Sequence, residues 1–212
     1  MPKKIHDSKV KLTLYHPLRF EIFRKIYETP FISIRKLSRE LNKDFRTVHW
    51  HVNVLSKNRL VNLLKIERKY LVYPVDVFSP REIKRLALIS NIHEQLILHK
   101  LNNNKKISQM QLSNEIQRSQ STISRTIKKM VENKILKVDK NIYHNKNIYH
   151  ITIDTDIGKL QHQCASRFVQ VLNDQKFRIF NIEFNDNVLE IDLKGLTRFS
   201  IKVEILKNFR FH

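Results

Sequence analysis

Hydrogen-bonding and aromatic side chains share one side of a helix that is predicted to begin after Asp44. The opposite side is apolar, with Val48, Val52 and Leu55 at helical spacing and Phe45 extending it toward the helix start. An arginine can fork to O6 and N7 of guanine, and an asparagine can pair with adenine, so the polar side suits base edges in the major groove of DNA. The residues expected to make such contacts are Arg46, Thr47, His49, Trp50 and Asn53.

Trp50 is the single tryptophan of the chain and lies between two histidines on this outward side. Its indole offers an N–H group and apolar area to a sugar or to a thymine methyl group. The alternative is that Trp50 packs on the first helix, on the other module of the chain or on a dimer partner, because a large aromatic side chain usually contributes to a core. The sequence favours the outward position. In the internal repeat described below, Trp50 aligns with Arg125, and an arginine rarely occupies a core position.

A second helix of the same kind is predicted to follow Ser119. Serine and threonine hydroxyls make short, adaptable contacts, and lysines bind phosphates as point charges. This helix is therefore expected to position DNA more than to specify its sequence. Its outward residues are Ser121, Thr122, Ser124, Arg125, Lys128 and Lys129.

Basic side chains also lie in the β-hairpin that is predicted after each of these helices. A hairpin tip close to the minor groove can use such side chains on phosphates, while a polar turn that binds nothing is the alternative for each of them. The first hairpin carries Lys65, Arg68 and Lys69, and the second carries Lys140, His144 and Lys146.

The two helices belong to an internal repeat with an offset of 75 residues. The segment LSREL at 37–41 returns as LSNEI at 112–116, and Asn58 aligns with Asn133. Apolar positions on both sides of these segments align with apolar positions. Caps and core positions thus agree together, which indicates two copies of one small fold.

Each copy is predicted to contain a helix, a short helix, a turn, a third helix and a hairpin. The first copy begins with a helix from about Pro17 to Glu28, since proline is favourable in a first turn, and Ser33 and Asp44 cap the next two helices. Ser108 and Ser119 are the corresponding caps of the second copy. The predicted hairpins run from LVNLLKI to KYLVYPV and from ILKVDK to NIYHITI.

The ends of three helices follow from local signals. In SPRE, Ser79 and Glu82 form a capping box from which the first helix of the second copy is expected to run to about Leu101 as a spacer. Asn58 and Asn133 are expected to end the third helix of each copy in the left-handed conformation, which asparagine tolerates.

These elements resemble a known family. The segments HPLRFEIFRKI and RTVHWHVNVLSKNRLV are similar to the ArsR/MarR-type winged-helix regulators of archaea and bacteria, and STISRTIKKMVENKIL is similar to a MarR-type recognition helix. The resemblance covers about residues 12–154 and implies tandem winged helix-turn-helix domains that bind DNA. The cysteine motif with which many ArsR proteins sense metals is absent, so the resemblance does not imply metal sensing.

The net charge of +20 is concentrated in the two copies. Residues 1–78 hold 17 basic and 7 acidic side chains, residues 79–154 hold 14 and 6, and residues 155–212 hold 9 and 7. Because the excess follows the repeat, binding of phosphates by both copies explains it better than general solubility does.

The segment 155–212 is predicted to form one helix and three antiparallel strands with a single apolar face. A sheet this small needs a cover, which the helix, the second copy of the repeat or a second chain supplies, and the expected role is homodimerisation or another interaction. Asp186, Asp192 and Lys194 also match the acid and D-x-K pattern of restriction-type nucleases, which hold Mg²⁺ with such groups. Alternating acids and lysines are equally typical of any exposed strand, and we therefore expect no enzyme.

Several classes of protein are disfavoured by composition. Cys164 is the single cysteine, the ten histidines lack the spacing of a helical metal pair, and the two glycines form no phosphate-binding loop. We therefore expect neither metal nor cofactor. No apolar stretch has membrane-spanning length, so a cytoplasmic, nucleoid-associated protein is expected.

The sequence thus predicts a mostly α protein with small β elements: a winged helix-turn-helix domain at 1–78, a second at 79–154, and a small α+β domain at 155–212. The predicted function is an archaeal-like, sequence-specific transcriptional regulator whose partner is double-stranded DNA. A replication initiator or architectural chromatin protein is the alternative, and a tandem winged-helix adaptor that binds protein is a further one.

Overall fold

A computed structural model describes residues 12–66, 68–141, 146–152, 157–185, 188–193 and 199–202. These residues are mostly helical, with small antiparallel sheets. The chain divides into two compact units, Met1–Val77 with Gly158–Ile205 and Phe78–Ile157 with Leu206–His212. Within the described ranges, no helix combines the length and the apolar composition that a membrane crossing requires.

The first unit has the winged-helix-like order of three helices followed by a hairpin. One strand was not predicted: β1 pairs with β3 through Ile32 and Ser33, giving the sheet order β1-β3-β2. Two residues are too few for strand periodicity to be visible in sequence. After a 3-10 turn at Thr13–Tyr15, the elements are α1 (Pro17–Glu28), β1 (Ile32–Ser33), α2 (Ile34–Glu40), α3 (Phe45–Lys57), β2 (Val61–Ile66) and β3 (Lys69–Pro74).

The predicted helix starts in this unit are confirmed. Pro17 occupies the first turn of α1. Ser33 accepts a hydrogen bond from the Lys36 N–H group, and the Asp44 carboxylate accepts one from the Arg46 N–H group at 2.7 Å. These side chains satisfy backbone donors that have no partner inside the helix, which fixes where each helix begins.

The second unit repeats this order but begins differently from the prediction. Its elements are α4 (Pro80–Leu88), α5 (Ile92–Asn103), α6 (Gln109–Ile116), α7 (Gln120–Glu132), β4 (Leu136–Asn141) and β5 (Lys146–Ile151). The predicted capping box of Ser79 and Glu82 is present, as are the caps Ser108 and Ser119.

The single long helix predicted from Ser79 to Leu101 is wrong, because two helices occupy that span. The Ser90 hydroxyl donates to the Ala87 carbonyl at 2.9 Å, and the Asn91 side chain accepts from the His93 N–H group at 3.4 Å. Short polar side chains that bond to nearby backbone groups compete with helix continuation, and here they end α4 and begin α5.

The predicted left-handed conformation of Asn58 and Asn133 is also wrong. Both residues end their helices with φ near −90°, and the next residues, Arg59 and Lys134, take φ of 55°. The asparagine amides donate instead to helix carbonyls four residues earlier, at 2.8 Å in both copies. Each asparagine therefore caps the helix end with its side chain.

The C-terminal elements contribute to the core of the first unit. The chain forms the predicted helix, α8 (Ile157–Asp174), and three antiparallel strands in the order β6-β7-β8: β6 (Ile179–Asn185), β7 (Val188–Leu193) and β8 (Phe199–Lys202). The Phe168 ring on α8 lies 5.1 Å from the Phe23 ring and 5.3 Å from the Tyr27 ring on α1. All three are almost completely buried. The domain boundaries given above remain predictions.

Candidate nucleic-acid interface

Helix α3 separates an apolar face from a polar face, as predicted. Val48, Val52 and Leu55 have no exposed surface, whereas Trp50 is 58% exposed. The outward position predicted for Trp50 is therefore confirmed. Phe45 was expected to extend the buried face, but it is 38% exposed, because it is the first residue of the helix and lies beyond the core contacts of the next turn.

The other residues of α3 that were predicted to contact bases also lie outward. Arg46 and Thr47 are exposed in the first turn, and His49 and Asn53 are half-buried further along the same side. The Asp44 carboxylate bonds to the N–H groups of both first-turn residues, so it orients the beginning of this helix.

Three aromatic rings form a continuous row from the start of α3 to strand β3, which we call the aromatic row: Phe45, His49 and Tyr70. The first two rings are stacked at 5.7 Å with an interplanar angle of 18°, and the His49 ring lies 5.6 Å from that of Tyr70. The Lys65 ammonium lies 5.8 Å from the centre of the Tyr70 ring. The four-residue spacing of Phe45 and His49 is visible in sequence, but their proximity to Tyr70 depends on the fold.

His51 lies on the inward side of α3, where its ring contacts the indole of Trp50. It is 5% exposed, and its ring lies 4.8 Å from Trp50, edge to face, and 4.7 Å from His16. Its Nδ1 atom is buried and has no hydrogen-bond partner among the described residues. Burial lowers the pKa of His51 from its usual 6.5, and the charges of His16 and Arg19 lower it further.

Acidification should therefore destabilise the first unit. As the pH falls through 6.5, the unfolded chain takes up a proton at His51 that the folded chain does not, so the free energy of unfolding decreases. Urea unfolding followed by Trp50 fluorescence at pH 7.5 and 5.5 measures this. His51→Gln should reduce the dependence on pH, and His99→Gln, at an exposed histidine of α5, should not. An unchanged pH dependence in His51→Gln would contradict this cause.

The first hairpin presents the three basic side chains that were predicted there. Lys65, Arg68 and Lys69 are all exposed, at the end of the hairpin where β2 turns into β3. In the second hairpin, Lys146 begins β5, but its side chain and that of Lys140 lie outside the described residues, as does the whole of His144.

Helix α7 repeats the division of faces with a different outward chemistry. Ile123, Ile127 and Met130 are buried. The Ser119 hydroxyl caps the helix and lies 2.8 Å from the Thr122 hydroxyl. The predicted contact residues Ser121, Thr122, Ser124, Arg125 and Lys128 are exposed, and Lys129 is half-buried.

Three cations on these two helices have no acidic partner among the described residues. In the part of the chain that the structure describes, Arg46, Arg125 and Lys128 form no ion pair. By contrast, Lys137 in β4 lies 3.2 Å from the Asp139 carboxylate. Cations that lack a protein partner on an exposed helix face suit a phosphate or a base edge.

The remaining residues with possible chemistry are the metal-ligating side chains, Cys164 and the D-x-K pattern. No three His, Cys, Asp or Glu side chains among them gather as metal ligands. Cys164 is buried in α8, and burial raises the pKa of its thiol. Asp192 lies in β7, while Asp186 and Lys194 lie outside the described residues.

Parts of this chain are similar in sequence to known proteins. Residues 14–79, which include α1 to β3, match the family HVO_A0114. The chain is also 25% identical, over 138 residues, to a Methanocaldococcus jannaschii protein named "Uncharacterized HTH-type transcriptional regulator MJ1398". That alignment covers 65% of this chain and 34% of the relative, so the chain spans about a third of the relative's length.

Among solved structures, T. acidophilum IdeR aligns with 92% of this chain and 94% of its own, at 16% identity and a TM-score of 0.21. A superposition of that quality supports no structural conclusion. The similarity to MJ1398 makes this chain a distant homologue of a helix-turn-helix transcriptional regulator.

Proposed function

We propose that this chain is a sequence-specific transcriptional regulator that binds double-stranded DNA through two winged helix-turn-helix modules, residues 1–78 and 79–154. The observation that carries the proposal is the pair of capped helices α3 and α7, each with a buried apolar face and an outward face of polar and cationic side chains. The residues proposed to contact DNA are Arg46, Thr47, His49, Trp50, Asn53, Lys65, Arg68, Lys69, Ser121, Thr122, Ser124, Arg125, Lys128, Lys129 and Lys146.

The two helices have different roles in this proposal. Arg46 lies in the first turn of α3, where a recognition helix reaches base edges, and its guanidinium can fork to guanine. Ser121 and Thr122 occupy the equivalent turn of α7 and make adaptable contacts, while Lys128 lies two turns further along and faces a phosphate. Specificity then comes mainly from the first module and affinity from both.

Two substitutions test this division. Arg46→Ala should cost about 1–3 kcal/mol on the preferred duplex and relax the preference at one base pair, because it removes a bidentate base contact. Lys128→Ala should weaken all duplexes by similar factors. Selection from a random duplex library, followed by titration of each variant, measures both effects.

Arg178→Ala is the matched control, because it removes an exposed arginine from the C-terminal segment, which is not proposed to bind DNA. If Arg46→Ala and Lys128→Ala both act equally on random and preferred duplexes, neither helix reads bases. That outcome would favour the architectural alternative over a sequence-specific regulator.

The relative's name and the charge distribution support regulation over the alternatives. A helix-turn-helix regulator has no need of catalytic residues, and we propose that this chain is not an enzyme and acts at the nucleoid. A protein-binding adaptor would not require a basic excess on both modules. Genome-wide occupancy separates the DNA-binding alternatives, since a regulator occupies promoters, an initiator occupies an origin, and an architectural protein covers DNA evenly.

A homodimer through residues 155–212 is part of the proposal. Strand β6 is an edge of its sheet, and Phe180 and Ile182 on it are 71% and 45% exposed. An exposed edge with apolar side chains favours pairing with another strand. Sedimentation equilibrium of the full chain and of Ile182→Asp tests this, and a wild-type monomer at tens of micromolar would contradict it.

A further inference from the structure

The outward face of α3 is aromatic where that of α7 is polar. Phe45 and Trp50 are 38% and 58% exposed, and His49 lies between Phe45 and Tyr70 in the aromatic row. With the offset of 75 residues, the positions of α7 that align with Phe45, His49 and Trp50 are occupied by Gln120, Ser124 and Arg125. The two modules share a fold but not the chemistry of this face. Exposed apolar side chains often mark a binding surface, so this difference indicates an apolar group on the partner that only the first module contacts.

The aromatic residues flank the hydrogen-bonding residues of the same face. A helix turns about 100° per residue, so the order around α3 is Phe45, His49, Asn53, Arg46 and Trp50. The guanidinium and the amide therefore lie in the middle of the face, with an aromatic ring on each side. Such a face is complementary to a partner surface on which hydrogen-bonding groups lie next to apolar groups.

The major groove of duplex DNA offers one apolar group of this kind, the C5-methyl group of thymine. It lies next to the acceptor and donor atoms with which arginine and asparagine pair. We infer that the first module recognises thymine methyl groups through Phe45 and Trp50, with Arg46 and Asn53 bonding to neighbouring base edges. This inference rests on the proposed function and specifies which bases the first module reads.

The geometry of the aromatic row disfavours stacking on unpaired bases. A base can insert between two rings only if the rings are about 7 Å apart, which is twice the distance between stacked bases. The Phe45 and His49 rings are 5.7 Å apart, and the Tyr70 ring lies 5.6 Å from His49 on strand β3. A base therefore cannot enter the row. The exposed part of Phe45 is left to contact compact groups such as methyls.

Charge around these rings fits a duplex rather than a neutral apolar partner. Lys65 lies against Tyr70, and Lys69 and Arg68 are exposed at the same hairpin end. Arg46 lies beside Phe45 in the first turn and forms no ion pair among the described residues. The apolar rings are thus bordered by cations that suit the phosphates on both sides of a groove.

The experiment removes only the methyl groups. Duplexes selected for tight binding from a random library are resynthesised with deoxyuridine in place of every thymidine, which keeps base pairing and the O4 acceptor. The full chain should bind the thymine duplex about fourfold more tightly for each methyl group contacted, the factor that corresponds to about 0.8 kcal/mol. Phe45→Ala and Trp50→Ala should each bring the ratio of the two affinities closer to one.

Two further variants separate methyl contacts from charge. Trp50→Arg places the α7 residue on α3, so it should keep or improve binding of the uracil duplex while its preference for thymine falls. Lys128→Ala should weaken both duplexes by the same factor and leave the ratio unchanged. Because Trp50 is largely exposed, its variants should fold, and thermal unfolding verifies this.

The outcomes distinguish this inference from the proposed function. Equal and tight binding of both duplexes by the wild-type chain would overturn methyl recognition and leave duplex binding standing. Failure to bind any duplex would overturn the proposed function itself. A thymine preference that persists in both Phe45→Ala and Trp50→Ala would overturn the assignment to these rings. Tighter binding of single strands that depends on Trp50 would overturn it in favour of base stacking.

Discussion

Raising monovalent salt from 50 to 200 mM should weaken binding of duplex DNA by about 10³ to 10⁵. If the two modules together contact about 6–10 phosphates, binding releases the counterions of those phosphates, and the slope of log affinity against log salt lies near −5 to −9. Titration of labelled duplex at four or more salt concentrations measures the slope. The prediction depends on the basic excess of both modules, which hold 17 and 14 basic side chains against 7 and 6 acidic ones.

Substitutions that remove one charge show which side chains contribute to the salt dependence of binding. Lys128→Ala on α7 should make it less steep by about one, because one phosphate contact is lost. Lys176→Ala removes the same charge from the C-terminal segment, at an exposed position, and should leave the slope unchanged. A slope near zero for the wild-type chain would contradict DNA binding and favour the protein-binding adaptor. If Lys128→Ala also leaves the slope unchanged, Lys128 on α7 does not contact a phosphate.

The features that could be predicted from sequence are those that local interactions determine. The start of α3 follows from Asp44, whose carboxylate bonds to N–H groups two and three residues later. The outward position of Trp50 follows from the 3.6-residue period that buries Val48 and Val52. Both depend on residues within one or two turns, so a pattern in the sequence specifies them.

The features that were missed depend on contacts between distant residues, or on competition between helix hydrogen bonds and side-chain hydrogen bonds to the backbone. Tyr70 joins the aromatic row because β3 returns beside α3, and no pattern near His49 signals that approach. The break between α4 and α5 depends on whether Ser90 and Asn91 bond to the backbone or let the helix continue. A helical pattern is compatible with either outcome, so periodicity alone predicted one helix.

The position of α8 is the clearest case of a distant contact. The helix itself was predicted from the sequence, but the surface that it covers was not. In the structure, Phe168 packs against both Phe23 and Tyr27, and the Leu14 N–H group donates to the Gln175 side chain at 3.1 Å. More than 130 residues separate these partners, so only the folded chain reveals that they meet.

This packing leads to a large expected effect on stability. Phe168→Ala should lower the free energy of unfolding of the first unit by about 3–5 kcal/mol, because it removes a buried ring from a site that is only 1% exposed. A domain is usually stable by about 5–15 kcal/mol, so the loss is a substantial part of the total. Urea unfolding of the full chain, followed by Trp50 fluorescence, measures it.

The fluorescent probe and the mutated residue lie in different segments of the chain, so the test shows whether those segments unfold together. Trp50 reports on α3, whereas Phe168 lies on α8, 118 residues later. If α8 and α1 share one core, the transition seen by Trp50 shifts to lower urea when Phe168 is truncated. Leu12→Ala is the control, because it removes an apolar side chain of the first unit from a position that is 46% exposed, and it should change stability by less than about 0.5 kcal/mol. A Trp50 transition that is unaffected by Phe168→Ala would mean that residues 155–212 fold independently of the first module, as an autonomous domain would.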